Sequence, residues 1–115
     1  VSKGAIRSVQ FKLEGQDFIA LDGGPHFTFT PAISLFVSCK TQKEVDRLWD
    51  GLSAGGEQQP CGWLKDRYGV SWQIVPAVLG KLLQDKDARR AGAVMQAMLR
   101  MKKLDIRGLR QAHAS

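Results

Sequence analysis

Residues 61–76, CGWLKDRYGVSWQIVP, have the pattern of two β-strands joined by a tight turn. Gly69 lies in the turn, where a residue without a side chain can adopt a positive φ. Side chains alternate along a strand, so Trp72 falls on one face of the second strand, and Ser71 and Gln73 fall on the other. The stretch predicts a hairpin, and we interpret it as one wall of a pocket.

A strand and an amphipathic helix precede this hairpin. Residues 33–39, ISLFVSC, have the composition of a strand. Thr41 and Glu44 form a capping box, in which the hydroxyl accepts from the Glu44 N–H and the carboxylate reaches back to the N-cap N–H. An apolar stripe at helical spacing follows, formed by Val45, Leu48, Trp49 and Leu52. We therefore expect Trp49 in the core, and Gly55-Gly56 to end the helix.

Both ends of the chain have regular patterns of their own. Residues 5–13 and Phe18–Asp22 alternate around a glycine-containing turn, which predicts a half-buried hairpin. After Pro76, apolar residues recur at helical spacing, which predicts helices over Ala77–Leu83, Asp87–Met101 and Ile106–Ala112. Asp105 is the expected N-cap of the last helix. Three methionines are expected to pack in the core: Met95, Met98 and Met101.

The net charge of +6 lies entirely in residues 77–115, which carry nine Lys and Arg against three acids. These cations could bind an acidic partner, or they could form a solvated helical face, which is the favoured interpretation. No aromatic residue is interleaved among them, so base stacking has no platform. Nucleic-acid binding is therefore disfavoured.

The length of 115 residues fits a single domain. No apolar run approaches the roughly 18 residues of a membrane span, and no signal peptide is visible. Cys39 and Cys61 have no CxxC spacing, so we expect two reduced thiols, with one disulfide as the alternative. These features predict a cytoplasmic protein that does not bind membranes.

The order of the elements resembles the vicinal oxygen chelate superfamily, which contains glyoxalases, bleomycin-resistance proteins and extradiol dioxygenases. A closer resemblance, to the branch described as 3-demethylubiquinone-9 3-methyltransferase-like or PhnB-like, is carried by four strings: Leu21–Phe27 (LDGGPHF), Ser34–Ser38 (SLFVS), Cys61–Pro76 and Met98–Ile106 (MLRMKKLDI). The resemblance covers nearly the whole chain, and it implies a homodimer.

The resemblance also implies an α+β fold of the glyoxalase/bleomycin-resistance type. We expect one domain, residues 1–115, in three parts. Residues 5–30 would be the hairpin of an incomplete first module, residues 31–76 a complete βαβββ second module, and residues 77–115 a helical tail.

Metal-dependent members of the superfamily hold a divalent ion with His, Gln and Glu side chains, and commonly have the late pattern Asp-Pro-x-Gly-x-x-x-Glu. Here the pattern aligns with Asp66, Gly69 and Gln73, so a neutral amide stands where those relatives have a carboxylate ligand. The strand at 33–39 contains no histidine. A divalent ion generally needs three or more converging ligands, so we expect no metal and no cofactor.

Two residues could carry chemistry. His26 is the candidate catalytic residue, because an imidazole can act as a general base near neutral pH. The alternative, a turn residue hydrogen-bonded to nearby backbone, is favoured. Cys61 is a candidate ligand-binding residue, whereas a role as nucleophile is disfavoured because no histidine is near it in the sequence.

The remaining candidate ligand-binding residues are two tryptophans and two polar side chains. Trp63 and Trp72 are expected to form a flat apolar wall for a planar organic molecule. Gln73 and Ser71 would supply the polar groups that orient this molecule.

We therefore expect a metal-free protein that binds a small organic molecule, and three alternatives stay open. The resemblance implies methyl transfer onto a quinone-like ring, although no glycine-rich loop follows a strand and opens a helix. Metal-assisted lyase or dioxygenase chemistry is the second alternative. The third is an interaction module whose basic C-terminal helices bind an acidic partner.

Overall fold

The computed structural model describes residues 7–115, which form two β-sheets and four α-helices. The strands are β1 (Ser8–Leu13), β2 (Gln16–Leu21), β3 (Ser34–Cys39), β4 (Glu57–Gln58), β5 (Trp63–Lys65) and β6 (Ser71–Pro76). The helices are α1 (Gln42–Ser53), α2 (Ala77–Leu83), α3 (Ala88–Leu99) and α4 (Ile106–Ala114). A 3-10 turn, Pro60–Gly62, precedes β5. This architecture confirms the predicted α+β fold.

Four strands form one mixed sheet in the order β3-β6-β5-β4. β3 runs parallel to β6 because the chain returns through α1 before it reaches β6. β5 runs antiparallel to β6, and the two-residue β4 pairs with β5. The chain order from β3 to β6 is therefore strand, helix and three strands, which is the predicted βαβββ arrangement.

Helix α1 covers one face of this sheet and starts at the predicted cap. The Thr41 hydroxyl accepts from the Glu44 backbone N–H at 3.2 Å. The Glu44 carboxylate accepts from the backbone N–H of Lys40 at 3.4 Å, one residue before the position that a capping box predicts. Trp49 is 1% exposed, which confirms its core position. The core between α1 and the sheet contains Cys39, Val45, Trp49, Leu64 and Ile74.

The strands of the β1–β2 hairpin pair with each other and not with the four-stranded sheet. The molecule, with the hairpin included, is elongated and measures 61 by 26 by 22 Å. The rings of Phe11 and Phe18 stack on one hairpin face with their centroids 5.5 Å apart. The prediction of a half-buried hairpin is wrong, because Phe11 is 41% and Val9 47% exposed on the side that should be covered. Residues 5 and 6 of the predicted first strand lie outside the described residues.

The C-terminal tail consists of α2, α3 and α4, which pack around a second core. α2 has the predicted bounds, whereas α3 is shorter than the predicted Asp87–Met101 at both ends, because Asp87 is its N-cap and Arg100 its C-cap. Asp105 caps α4 as predicted, and its carboxylate accepts from the Gly108 N–H at 3.3 Å. The core residues shared by the three helices and their connections are Leu79, Leu82, Val94, Leu104 and Leu109.

The three methionines of the tail have different surroundings. Met98 and Met101 pack against the second core as predicted, but Met95 is 40% exposed and does not. Within residues 7–115, no helix combines the length and the apolar character that crossing a membrane requires.

Two contacts fasten the tail to the sheet side of the molecule. The backbone N–H groups of Cys61 and Gly62 donate to the carbonyl oxygens of Met101 and Lys102, each at 2.8 Å. The Gln42 side chain, at the start of α1, binds backbone groups at the start of α4. The tail is thereby held against the face of the sheet that α1 does not cover.

Candidate functional site

The sheet face opposite α1 carries a row of three side chains across neighbouring strands. Gln73 on β6 lies opposite Phe36 on β3 and opposite Trp63 on β5. Residues paired directly across strands point to the same face. Since Ile74 and Leu64 face α1, the row Phe36–Gln73–Trp63 faces the tail.

A cavity of about 320 Å³ lies between this row and the helical tail. Strand residues form one side of it, and residues of α2 and α3 form the other. Its lining residues are Phe36, Cys61, Trp63, Gln73, Val75, Leu79, Gly80, Leu83 and Met98. The site therefore combines both parts of the chain, the sheet and the tail.

Gln73 is the principal polar group in the cavity. Its amide Nε2 donates to the Ser34 hydroxyl at 2.9 Å, which fixes the orientation of the amide. The amide oxygen accepts no hydrogen bond from the described residues, so it is free to accept one from a ligand. Among the residues that line the cavity, none carries a charge.

Cys61 contributes a half-buried thiol at the edge of the cavity. Its backbone adopts φ 63° and ψ 32°, the left-handed conformation that non-glycine residues adopt infrequently. The hydrogen bond from its N–H to Met101 holds this conformation in place. Both cysteines are free thiols, and burial raises the pKa of the Cys39 thiol, the group that lies in the core under α1.

Trp72 and Ser71 do not join the other predicted site residues in this cavity. Trp72 lies on the opposite sheet face, where it packs on α1 and its indole N–H donates to the Asp66 carboxylate at 3.0 Å. The two indoles therefore do not form a single wall. Trp72 instead lines a separate cavity of about 880 Å³ between the hairpin and α1.

Ser71 faces the same side of the sheet as Gln73 but lies beneath the surface. It is 1% exposed and does not line the cavity. Its hydroxyl has no hydrogen-bond partner in the described part of the chain. Ser71 is thus placed next to the site rather than in it.

His26, the candidate catalytic residue, lies in the exposed segment between β2 and β3. It is not among the residues that line the cavity. The structure therefore does not bring its imidazole together with Gln73 or Cys61, and its surroundings match those of a turn residue.

Several lining residues were absent from the sequence-based set. Phe36 could have been found, because pairing β3 with β6 in parallel register places it opposite Gln73. The lining residues of the tail could not have been found in this way, because a helical apolar pattern predicts burial without indicating which element the buried side faces. These residues are Leu79, Gly80, Leu83 and Met98. The contribution of the tail to the site therefore depends on how the helices pack on the sheet.

The residues of this site do not fit a divalent metal ion. The donors in the cavity are one neutral amide, that of Gln73, and one thiol, that of Cys61. Throughout residues 7–115, no group of three or more His, Cys, Asp or Glu side chains is close enough to hold an ion.

The mixed sheet and the helix that crosses from β3 towards β6 are those of a glyoxalase-type α+β fold. Residues 1–75 match the family described as 3-demethylubiquinone-9 3-methyltransferase, and the chain belongs to this family, in its PhnB-like branch. The predicted resemblance to this branch is thereby confirmed over residues 1–75, whereas the predicted tail string Met98–Ile106 lies outside the matched residues.

The solved structures that are similar to this chain include one that resembles it in both sequence and fold. It is a putative 3-demethylubiquinone-9 3-methyltransferase, the PhnB protein, from Bacillus cereus. The two chains are 39% identical, with a TM-score of 0.57, and the match covers 61% of this chain and 64% of that chain. The match thus spans slightly less than two thirds of that protein. No curated protein matches the chain.

Proposed function

We propose that the chain binds a small, uncharged, flat organic molecule in the cavity between the sheet and the helical tail. The observation that carries the proposal is the row Phe36–Gln73–Trp63, which lines one cavity together with apolar residues of α2 and α3. A pocket with mostly apolar walls and a few polar groups is typical of small-molecule sites.

The walls and the single amide determine which molecules would fit. Phe36 and Trp63 offer aromatic surfaces, which favour stacking or edge contacts with a planar ring. Gln73 offers an unpaired amide oxygen, which suits a hydroxyl or N–H on that ring. A charged group would lose its hydration without finding an opposite charge, which costs several kcal/mol.

Binding is proposed to need no metal, because Gln73 and Cys61 alone cannot complete a coordination shell. The proposal predicts that the affinity for an organic probe is the same with and without a chelator in the buffer. A loss of binding in the chelator would contradict the metal-free part of the proposal.

The test uses two probes of the same shape and different charge, 2-naphthol and 2-naphthoate, titrated by calorimetry. We expect 2-naphthol to bind and 2-naphthoate to bind at least about tenfold more weakly, a difference of about 1.4 kcal/mol. Equal affinities, or no binding of 2-naphthol, would contradict the proposal.

Two exposed phenylalanines provide a matched pair of variants. Phe36 is 61% exposed and lines the cavity, whereas Phe27 is 86% exposed and does not. Phe36→Ala should weaken 2-naphthol binding by about tenfold, since an aromatic contact contributes about 0.5–1.5 kcal/mol beyond the area it buries. Phe27→Ala should leave the affinity unchanged.

Methyl transfer, which the family description names, has a separate test. The Gly23-Gly24-Pro25 segment leads into residues 26–33 without opening a helix, so these described residues do not form a nucleotide-cradling loop. We expect S-adenosylmethionine to give no heat of binding. A measurable heat would favour a methyltransferase over a binding protein.

A further inference from the structure

One wall of the cavity, made by helix α2, contains a gap. Leu79 and Leu83 contribute large apolar side chains to this wall, and Gly80 between them contributes none. Apart from the adjacent residues and the backbone of α2 itself, a β-carbon added at Gly80 would meet no atom within 4 Å. The volume beside Gly80 is therefore open to whatever occupies the cavity.

Nothing in the fold requires glycine at this position. The φ of Gly80 is not in the positive range that favours glycine. A glycine inside a helix also makes the helix less stable than an alanine would. Gly62 is a contrast, because a β-carbon there would lie 2.9 Å from the Ile74 carbonyl oxygen. A side chain at Gly80 would thus be tolerated by the fold but would occupy space beside the cavity.

We propose that Gly80 sets the size of the largest molecule that the cavity admits. The inference rests on the proposed function, since it concerns the ligand of the same cavity. A side chain on α2 at this point narrows the space that faces Phe36 and Trp63. It would therefore exclude wide molecules before narrow ones.

The Cys61 thiol provides a measure of access that does not depend on the natural ligand. The thiol lines the same cavity and adds across the carbon–carbon double bond of a maleimide, with its proton passing to the neighbouring carbon. Cys39 is 0% exposed and does not compete in the folded protein. N-methylmaleimide and N-phenylmaleimide differ in the width of their substituent and in intrinsic reactivity. Because the intrinsic reactivity is the same for every variant, a change in the ratio of their reaction rates between variants reports a change in the width of the cavity.

We expect Gly80→Leu to lower the rate of N-phenylmaleimide relative to N-methylmaleimide at least about fivefold, and Gly80→Ala to lower it less. Gly92 is the matched control, because it lies inside α3, does not line the cavity, and an added β-carbon there also meets no atom within 4 Å. Gly92→Leu and Gly92→Ala should leave the ratio unchanged. Peptide mapping identifies Cys61 as the labelled residue, and thermal unfolding shows that each variant is folded.

An unchanged ratio in Gly80→Leu, or an equal fall in Gly92→Leu, would overturn the inference. The two proposals can fail separately. If 2-naphthol does not bind the unmodified protein and the ratio still falls in Gly80→Leu, the proposed function is wrong and Gly80 still limits access. If 2-naphthol binds and the ratio does not fall, the role of Gly80 is wrong and the proposed function stands.

Discussion

Replacing Gln42 by alanine should loosen the attachment of α4 to α1. The Gln42 Nε2 donates to the Leu104 carbonyl oxygen at 3.0 Å, and its Oε1 accepts from the Ile106 N–H at 2.7 Å. The Ile106 N–H lies in the first turn of α4, where no carbonyl of the same helix can reach it. Without Gln42, both backbone groups lose their partner at a partly buried junction.

The Gln42 Nε2 also donates to the Asp46 carboxylate at 3.0 Å, but that bond lies within α1 and does not reach the tail. The size of the effect on the tail therefore follows from the two bonds to Leu104 and Ile106. Each contributes about 0.5–1.5 kcal/mol net, so their loss should lower the free energy of unfolding by about 1–3 kcal/mol. Alanine has a better helix propensity than glutamine, which offsets a few tenths of a kcal/mol. The remaining loss is a substantial share of the roughly 5–15 kcal/mol that stabilises a typical domain.

Urea unfolding, followed by the fluorescence of the tryptophans, measures this loss as a lower midpoint at an unchanged slope. Lys43→Ala is the matched control, because Lys43 is exposed in the same turn of α1. Hydrogen exchange at the Ile106 amide should also become faster in Gln42→Ala. If Gln42→Ala and Lys43→Ala have the same urea midpoint, the contact between the Gln42 side chain and the start of α4 does not hold the tail.

Three other predictions concern stability, pH and assembly. Ser71→Ala should raise the free energy of unfolding by about 1 kcal/mol, because it removes a buried hydroxyl without a partner. The N–H of Asp87 and the ring of His113, at 2.8 and 2.6 Å, lower the pKa of Asp85 below its ordinary 3.8. The stabilisation that these contacts give the folded protein is present above pH 3.8 and is lost as the pH falls through the lower pKa of Asp85 in the folded state. The difference in the free energy of unfolding between the unmodified protein and Asp85→Asn should therefore become smaller in unfolding series at acidic pH. We propose that the chain is a homodimer paired through the hairpin, so Phe11→Lys should give a monomer by light scattering.

Each of these predictions has its own control. Ser34→Ala, which removes the acceptor of the Gln73 amide, should be destabilising where Ser71→Ala is stabilising. The same Asp85→Asn comparison in a His113→Ala background, which removes one of the two contacts of Asp85, should show a smaller loss in acid. Ile19→Lys alters the opposite face of the hairpin and should leave the assembly intact. A monomeric unmodified chain would contradict the proposed homodimer.

Most of the fold could be predicted from the sequence, because its local signals agree with its tertiary structure. Thr41 and Asp105 cap the starts of α1 and α4 as expected. The apolar stripe of α1 is buried at Trp49, also as expected. Gly69 adopts φ 91° in the turn between β5 and β6, as a residue without a side chain can. The burial of the hairpin was not predictable, since alternation does not say whether a partner is present.

The site was predictable only in part. Alternation along β6 places Trp72 on the face opposite Gln73, so a site that contains both was inconsistent with the strand pattern itself. Only the register between β5 and β6 places Trp63 on the same face as Gln73. The left-handed turn at Cys61 and the helical wall through Gly80 depend on how the tail packs, and no short pattern in the sequence determines that.

The parallel pairing of β3 with β6 has a consequence for how the chain folds. α1, β4 and β5 lie between β3 and its parallel partner β6 in the sequence. Pairing these two strands therefore closes a long loop. Closing such a loop costs entropy before the contacts form, and domains with many distant contacts fold slowly. During synthesis, the uncharged strand Ser34–Cys39 would wait unpaired until residue 76 has left the ribosome. The interval in which the chain is most prone to aggregate is therefore set by the emergence of β6.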